Sequence, residues 1–183
     1  MTEPVPPQTP SLDTRALRQC WRTFGIADDY GRARGLHRVR EPRRLVSIGH
    51  DIHGRPQWLA LAAARAWQRM HAAATQAGVE LLVVSAFRSI AYQCGIVERK
   101  LARGVSIGEI LRVNAAPGFS EHHSGCALDL TTPDSADLEE SFENSAAFAW
   151  LGLHAAHFGF TLSYPRGNPH GIAYEPWHWC FKP

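Results

Sequence analysis

The sequence predicts an α+β fold in which helices flank a mostly antiparallel central sheet. Residues 56–76 place apolar side chains at the three-then-four spacing of one helix face. Residues 80–86 (ELLVVSA) form a short, mostly apolar run with two valines, which is typical of a buried strand. Later helical and strand patterns are interleaved, and short strands end the chain, an order that favours the α+β class.

The remaining elements are predicted from the same patterns. Proline near the start and Gly78 just past the end bound the helix at 56–76. Gly159 is expected to stop a helix that begins at residue 144. The other predicted helices cover residues 12–24, 91–102, 107–113 and 144–158, and the other predicted strands cover residues 126–131, 160–164 and 177–181.

The 183 residues suffice for one globular domain with a sizeable core. Within it, residues 1–12 are rich in proline and polar side chains and are predicted to form a flexible tail. Residues 13–54 form an N-terminal extension whose role the sequence does not define. Residues 55–183 hold every motif described below and are predicted to form the main core.

Composition excludes several classes of function. The net charge of +2 is too small to indicate a nucleic-acid partner. The arginines of residues 32–44 lack the interleaved aromatic side chains of a nucleic-acid platform, so a solvated, ion-paired surface is the favoured interpretation. No apolar run approaches the roughly 18 residues of a membrane span. The sequence does not indicate an oligomeric state.

Two further features concern compartment and redox chemistry. Residues 1–10 lack the basic and hydrophobic regions of a secretory signal, which predicts a cytoplasmic protein, or a periplasmic or wall-associated one if a leader was removed. Cys20, Cys94, Cys126 and Cys180 lie far apart and form no CxxC pair. They are predicted to be buried or idle thiols.

Two segments concentrate groups that can bind a metal ion. One runs from Ser120 to Asp129 (SEHHSGCALD) and includes His122, and the other is EPWH, from Glu175 to His178. A catalytic zinc ion needs three such protein ligands and an open position, and a nearby carboxylate can then act as a base. On this spacing alone, two interpretations remain open: a metal site, and ordinary polar residues that do not act together.

Strand alternation supports the first interpretation. Asp129 shares one face of the predicted strand with Ala127, while Cys126 and Leu128 share the opposite, core-facing side. Glu175 and His178 would lie on opposite faces of a regular strand, so we expect an irregular start near Pro176. His123 and Cys126 are alternative ligands, and Glu121 is interpreted as a carboxylate that lies behind the ligands or in solvent.

These segments resemble the motifs of the zinc D-alanyl-D-alanine carboxypeptidases, the VanY-like peptidases of the lysostaphin and hedgehog fold group. Ser120, His122, Gly125, Ala127 and Asp129 match the SxHxxGxAxD motif. Tyr174 to His178 match the second motif, and residues 85–89 with Gln93 resemble an SGYRS…Q segment. The similarity covers about residues 55–181. Ala86 and Phe87 depart from the usual Gly and Tyr, and Trp179-Cys180 stands where many relatives carry an arginine.

The resemblance implies a role for each matching residue. His122, Asp129 and His178 would bind Zn²⁺, and Glu175 would be the general base and then the proton donor. Arg88 would stabilise the oxyanion or hold the substrate carboxylate. Ser120 and Gln93 would contact the substrate.

The implied function is hydrolysis of the C-terminal D-alanine of a peptidoglycan stem peptide or muropeptide by a metal-activated water. The alternatives are an LD-carboxypeptidase or a cell-wall endopeptidase on the same scaffold, or a zinc-containing binding module without catalysis. Glu175 and Arg88 argue against the last alternative, because such a module has no need of a base or an oxyanion donor.

Overall fold

A four-stranded antiparallel sheet forms the centre of the protein, which a computed structural model describes over residues 13–182. Its strand order is β3 (Leu82–Ser85), β4 (Ala127–Thr131), β6 (His178–Phe181) and β5 (Phe160–Leu162). This arrangement confirms the predicted α+β class. The flexible tail predicted at residues 1–12 lies outside the described residues.

Six helices surround this sheet in the described part of the chain. They are α1 (Thr14–Phe24), α2 (Tyr30–Ala33), α3 (Leu61–Gln76), α4 (Ile90–Ala102), α5 (Ile107–Val113) and α6 (Ala146–His154). Three short 3₁₀ turns cover Glu121–Ser124, Glu140–Asn144 and Ala155–Phe158. The last of them continues α6 to Gly159, whose positive φ of 83° ends it as the sequence predicts.

The structure corrects the prediction at the start of the long central helix. Residues 56–60 are a strand, β2 (Pro56–Ala60), which pairs antiparallel with β1 (Leu45–His50), and the helix begins only at Leu61. The apolar residues of this segment are compatible with a helix or a strand. Pairing with β1, which was not predicted, makes the segment a strand. The boundary predicted at residue 55 falls inside this hairpin.

The main hydrophobic core lies between α3 and the sheet. Leu59, Ala63 and Met70 are fully buried on the side of the hairpin and α3, and Leu128 and Leu130 are fully buried on β4. The two leucines follow the alternation predicted for this strand, and Cys126 also packs against this core. One face of the sheet therefore packs on this core, and the side chain of Asp129 lies on the opposite face of β4.

A second, smaller core joins the N-terminal extension to the rest of the protein. Leu17 and Trp21 of α1 and Tyr30 of α2 pack with Phe119 and Tyr164. Asp13 begins α1 by accepting a hydrogen bond from Ala16 N at 2.7 Å. Residues 13–54 are thus packed onto the core, and their boundary as a separate unit stays a prediction.

Two further observations concern the cysteines and membrane-spanning segments. Within residues 13–182, the four cysteine thiols form no disulfide. No helix in the same range combines the length and apolar character needed to cross a membrane.

Candidate metal centre and active site

Two paired strands bring the predicted ligands together. Asp129 on β4 lies directly opposite His178 on β6 in the antiparallel register. His122 lies in the 3₁₀ turn that leads into β4, and Gly125 ends this turn with a positive φ of 67°. A side chain at Gly125 would lie 2.9 Å from the backbone nitrogen of Ala60, so this position needs glycine for space as well as for conformation.

The three side chains converge with the geometry of a metal site. Oδ1 of Asp129 lies 3.2 Å from Nε2 of His122 and 3.0 Å from Nδ1 of His178. Tetrahedral zinc with bonds of about 2.0–2.1 Å separates its ligand atoms by about 3.3 Å. One ligand atom from each residue lies within 4.8 Å of the others, and all three residues are buried. The donor set therefore fits a zinc ion.

The second nitrogen of each histidine is held by a neighbour. Nδ1 of His122 meets the carbonyl oxygen of Ala86, and Nε2 of His178 lies 2.9 Å from Oε2 of Glu121. A histidine that donates one N–H in this way presents the lone pair of its other nitrogen to a metal ion. Both rings are thus oriented with the appropriate nitrogen towards Asp129.

The pKa values of several side chains in the site are strongly shifted. Burial lowers the pKa of His122 to about 4, which keeps that ring neutral and able to bind a metal ion. Burial opposes a charged His178, but the hydrogen bonds to Asp129 and Glu121 outweigh it and raise the pKa of His178 to about 10. Burial likewise opposes a charged Glu121, but its hydrogen bond with His178 lowers the pKa of Glu121 to about 2. A proton therefore competes with a metal ion at His178.

Glu175 reaches the site through the expected bend. β6 begins only at His178, whose backbone N–H donates to the carbonyl oxygen of Glu175 at 3.1 Å. This turn places Oε2 of Glu175 3.9 Å from Nδ1 of His178. Burial raises the pKa of Glu175 to about 7, which is where a general base works best near neutral pH.

Arg88 also lies beside the candidate ligands. Its neighbour Ser89 caps the N-terminus of α4. The backbone N–H of Arg88 donates to the carbonyl oxygen of His122 at 3.3 Å. Nη2 of Arg88 lies 3.8 Å from Oδ2 of Asp129. The buried Nε of Arg88 has no hydrogen-bond partner among residues 13–182.

The two alternative ligands are directed elsewhere. His123 bridges two backbone segments, because its Nε2 accepts from Gly118 N at 3.1 Å and its Nδ1 lies 2.7 Å from the carbonyl oxygen of Arg88. Cys126 packs against the main core, and burial raises the pKa of its thiol. Burial also lowers the pKa of His123 to about 3, which preserves the neutral ring that this bridge requires.

A cavity of about 20 Å³ adjoins the candidate ligands. Ser120 and Gln93, the two predicted substrate contacts, both line it and are both buried. Nε2 of Gln93 donates to the carbonyl oxygen of Ala115 at 3.1 Å, and its Oε1 has no hydrogen-bond partner within residues 13–182. Gln93 thus offers an unused acceptor at the cavity.

Sequence reasoning missed several residues of the site. Tyr164 packs on His178 with ring centroids 4.9 Å apart, and Asn114, Ala115 and Ile172 line the cavity. Nothing in the local sequence marks Asn114, Ala115 or Ile172. They reach the site through the loop after α5 and the loop before β6. Trp179 is buried in the main core.

Comparison with known proteins identifies the class of protein that this fold and site define. The family described as VanY, D-alanyl-D-alanine carboxypeptidase, matches residues 56–183. The chain belongs to this family. The match begins at β2 and includes every candidate ligand, but it leaves out α1, α2 and β1.

Individual relatives agree with this membership. YodJ of Bacillus subtilis (strain 168), whose name assigns it provisionally to the carboxypeptidases, is 35% identical over 121 residues, which are 63% of this chain and 43% of YodJ. The chain thus aligns with less than half of that relative's length.

Two solved structures share the fold. The LD-carboxypeptidase LdcB aligns with a TM-score of 0.69 and 29% identity, over 77% of this chain and 69% of LdcB. A mutant of the D,D-pentapeptidase VanY in complex with Zn(II) aligns with a TM-score of 0.61 and 24% identity, over 80% of this chain and 85% of that one.

Proposed function

We propose that this protein is a zinc-dependent carboxypeptidase that removes the C-terminal D-alanine of peptidoglycan stem peptides. The observation that carries the proposal is the buried convergence of His122, Asp129 and His178, with the carboxylate of Glu175 3.9 Å from His178. Membership of the VanY family and the zinc ion in the related VanY structure support both the metal and the reaction.

His122, Asp129 and His178 would hold the zinc ion. When bound, such an ion supplies a Lewis acid that polarises a carbonyl group and makes water more acidic. Glu175 would accept the proton of the attacking water and then deliver it to the departing amine. A base with a pKa of about 7 can perform both transfers at neutral pH.

The residues around the cavity would position the peptide. The guanidinium of Arg88 would donate hydrogen bonds to the oxyanion or to the terminal carboxylate of the substrate. Oε1 of Gln93 suits an N–H donor of the peptide, because Nε2 is already committed to Ala115. Ser120 borders the same cavity and can donate or accept with its hydroxyl.

A second candidate function is LD-carboxypeptidase activity on the same scaffold. The similarity to LdcB favours it, because the chain is 29% identical to LdcB and 24% identical to the VanY structure. The two activities are separated by offering a stem pentapeptide, which ends in D-Ala-D-Ala, and a tetrapeptide, whose last bond joins an L-residue to D-alanine. Loss of D-alanine from the pentapeptide alone supports the first function, and loss from the tetrapeptide supports the second.

The role of Glu175 is tested by the variant Glu175→Gln. We expect this change to preserve zinc binding and to lower turnover by about 10²–10⁴-fold, the usual contribution of a general acid–base group. The measurements are zinc content by elemental analysis and single-turnover release of D-alanine. Turnover equal to that of the wild-type protein would exclude Glu175 as the base.

A further inference from the structure

The carbonyl group of Ala86, which contacts His122, is held on both sides by β2. Ala86 is fully buried, and its oxygen meets Nδ1 of His122. The N–H of Ala86 donates to Oε1 of Gln57 at 3.0 Å, and the N–H of Phe87 donates to the carbonyl oxygen of Trp58 at 3.1 Å. A carbonyl oxygen only accepts, so Nδ1 of His122 carries the hydrogen and Nε2 keeps its lone pair. Two consecutive residues of β2 therefore set the direction of the group that orients a candidate zinc ligand.

The side chain of Gln57 is itself oriented by Asp51. Nε2 of Gln57 donates to Oδ2 of Asp51 at 2.8 Å. A carboxylate accepts hydrogen bonds and does not donate them, so the amide nitrogen must face Asp51 and the amide oxygen must face Ala86. The opposite orientation would place two donors together at Ala86. Asp51 thus determines which end of Gln57 meets Ala86.

Asp51 is a rigid anchor for this arrangement. Its side chain is fully buried. Its Oδ1 accepts from the backbone N–H groups of His53 and Arg55, both at 2.9 Å, and its Oδ2 also accepts from Nε of Arg55 at 2.7 Å. The N–H of Ile52 donates to the carbonyl oxygen of Val83 at 3.0 Å, which ties the turn between β1 and β2 to β3.

Hydrogen bonds therefore run without a break from Asp51 through Gln57 and Ala86 to His122. Neither Asp51 nor Gln57 lines the small cavity beside the candidate ligands. Their connection to the site is through the ring of His122. Groups that hold the second nitrogen of a metal-binding histidine fix its tautomer and its direction, and so they raise metal affinity.

We propose that Gln57, held by Asp51, is a positioning residue for the zinc site, because it fixes the carbonyl group of Ala86 and thereby the tautomer and direction of His122. This inference rests on the zinc site of the proposed function. Loss of a partner that orients a metal-binding histidine lowers metal affinity by about 10–100-fold. Gln57 acts through Ala86, so its effect is expected at the lower end of this range, about tenfold.

Three variants test this role. Gln57→Leu removes both hydrogen bonds of the side chain. Gln57→Glu keeps an acceptor for Ala86 but places a second carboxylate against Asp51. The double variant Gln57→Glu and Asp51→Asn exchanges the two groups, so that the new amide at position 51 donates to the new carboxylate at position 57. The amide oxygen at position 51 can still accept from the turn, and Arg55 alone loses its partner.

The matched control is Leu59→Val, which shortens a fully buried side chain of the same strand and leaves these hydrogen bonds in place. Three quantities are measured for each protein. They are the Kd for zinc, by competition with a chromophoric chelator, the visible absorption spectrum of the Co²⁺-substituted protein, and Tm. The spectrum reports the geometry of the ligands, which a general loss of stability would not change.

We expect Gln57→Leu and Gln57→Glu to weaken zinc binding about tenfold and to change the Co²⁺ spectrum. The double variant should return both towards the wild-type values, although the loss of the Arg55 partner lowers its Tm. Leu59→Val should lower Tm and change neither the Kd nor the spectrum.

Wild-type zinc affinity and an unchanged spectrum in Gln57→Leu, or an equal loss of affinity in Leu59→Val, would overturn the positioning role. Equal zinc affinities in Gln57→Glu and the double variant would also overturn it, and this comparison does not require Gln57→Leu to fold. Wild-type protein that binds no zinc would instead overturn the metal site of the proposed function, and this inference with it.

Discussion

Glu121 offers a specific test of how the candidate ligands are oriented. Its carboxylate accepts the Nε2 hydrogen of His178 at 2.9 Å, and this bond leaves Nδ1 directed towards Asp129. The variant Glu121→Gln keeps an acceptor oxygen of similar shape but removes the negative charge. The variant Glu121→Ala removes both the charge and the acceptor.

The expected loss follows from the geometry. Removing a group that orients a metal-binding histidine lowers metal affinity by about 10–100-fold, which equals about 1.4–2.7 kcal/mol. The side chain of Glu121 is about one quarter exposed. In the variants, water therefore replaces part of the interaction that His178 loses, which reduces the loss of zinc affinity. We therefore expect a loss of about tenfold for Glu121→Gln, and a loss near 100-fold for Glu121→Ala.

The assay is competition for zinc between each protein and a chromophoric chelator at fixed pH. Glu80→Gln is the matched control, because it removes the same charge at an exposed position. Zinc affinities of both Glu121 variants within twofold of the wild-type value would refute the assigned orientation of His178. An equal loss of zinc affinity in Glu80→Gln would show that the effect comes from the change in net charge.

Two further predictions concern stability. Burial opposes a charged Asp51, but hydrogen bonds from Arg55 and from its own turn outweigh burial and lower the pKa of Asp51. The stabilisation by Asp51 is therefore present above its unfolded-state pKa and is lost as pH falls through its folded-state pKa. Asp51→Asn should lower the free energy of unfolding by about 2–4 kcal/mol at pH 7 and weaken its acid dependence, as measured by urea unfolding across pH; an unchanged acid limb would contradict this. Gly31→Ala should lower Tm because its Cβ would overlap the Phe119 ring, whereas Gly108→Ala, whose Cβ meets no described atom within 4 Å, should leave Tm unchanged or raise it. Equal shifts in Tm for the two glycine variants would contradict the packing of Phe119.

Local patterns predicted the parts of the fold that depend on short segments. The strand at Ala127–Thr131 and the helix at Ile107–Val113 follow from residues adjacent in sequence. The hairpin of β1 and β2 was missed because its helix-like apolar residues become a strand only through pairing with Leu45–His50. Propensity and periodicity carry no information on such a partner.

The candidate site was predictable for a related reason. His122 and Asp129 lie seven residues apart on a turn and its following strand, so one motif places both. The contact between Glu121 and His178 spans 57 residues of sequence, and the hydrogen bond from Trp21 Nε1 to the carbonyl oxygen of Pro117 spans 96. Contacts of this kind depend on how the elements pack together. The local sequence pattern of each segment carries no information about that packing.

The most direct test of the proposed function is mass spectrometry of the products of a stem pentapeptide incubated with three preparations of the protein. These are zinc-loaded protein, protein stripped by a chelator with its metal loss verified, and stripped protein to which zinc is returned. We expect loss of one D-alanine with the first and third preparations and an intact peptide with the second. Undiminished cleavage by verified metal-free protein, or no cleavage by zinc-loaded protein, would contradict the proposed function.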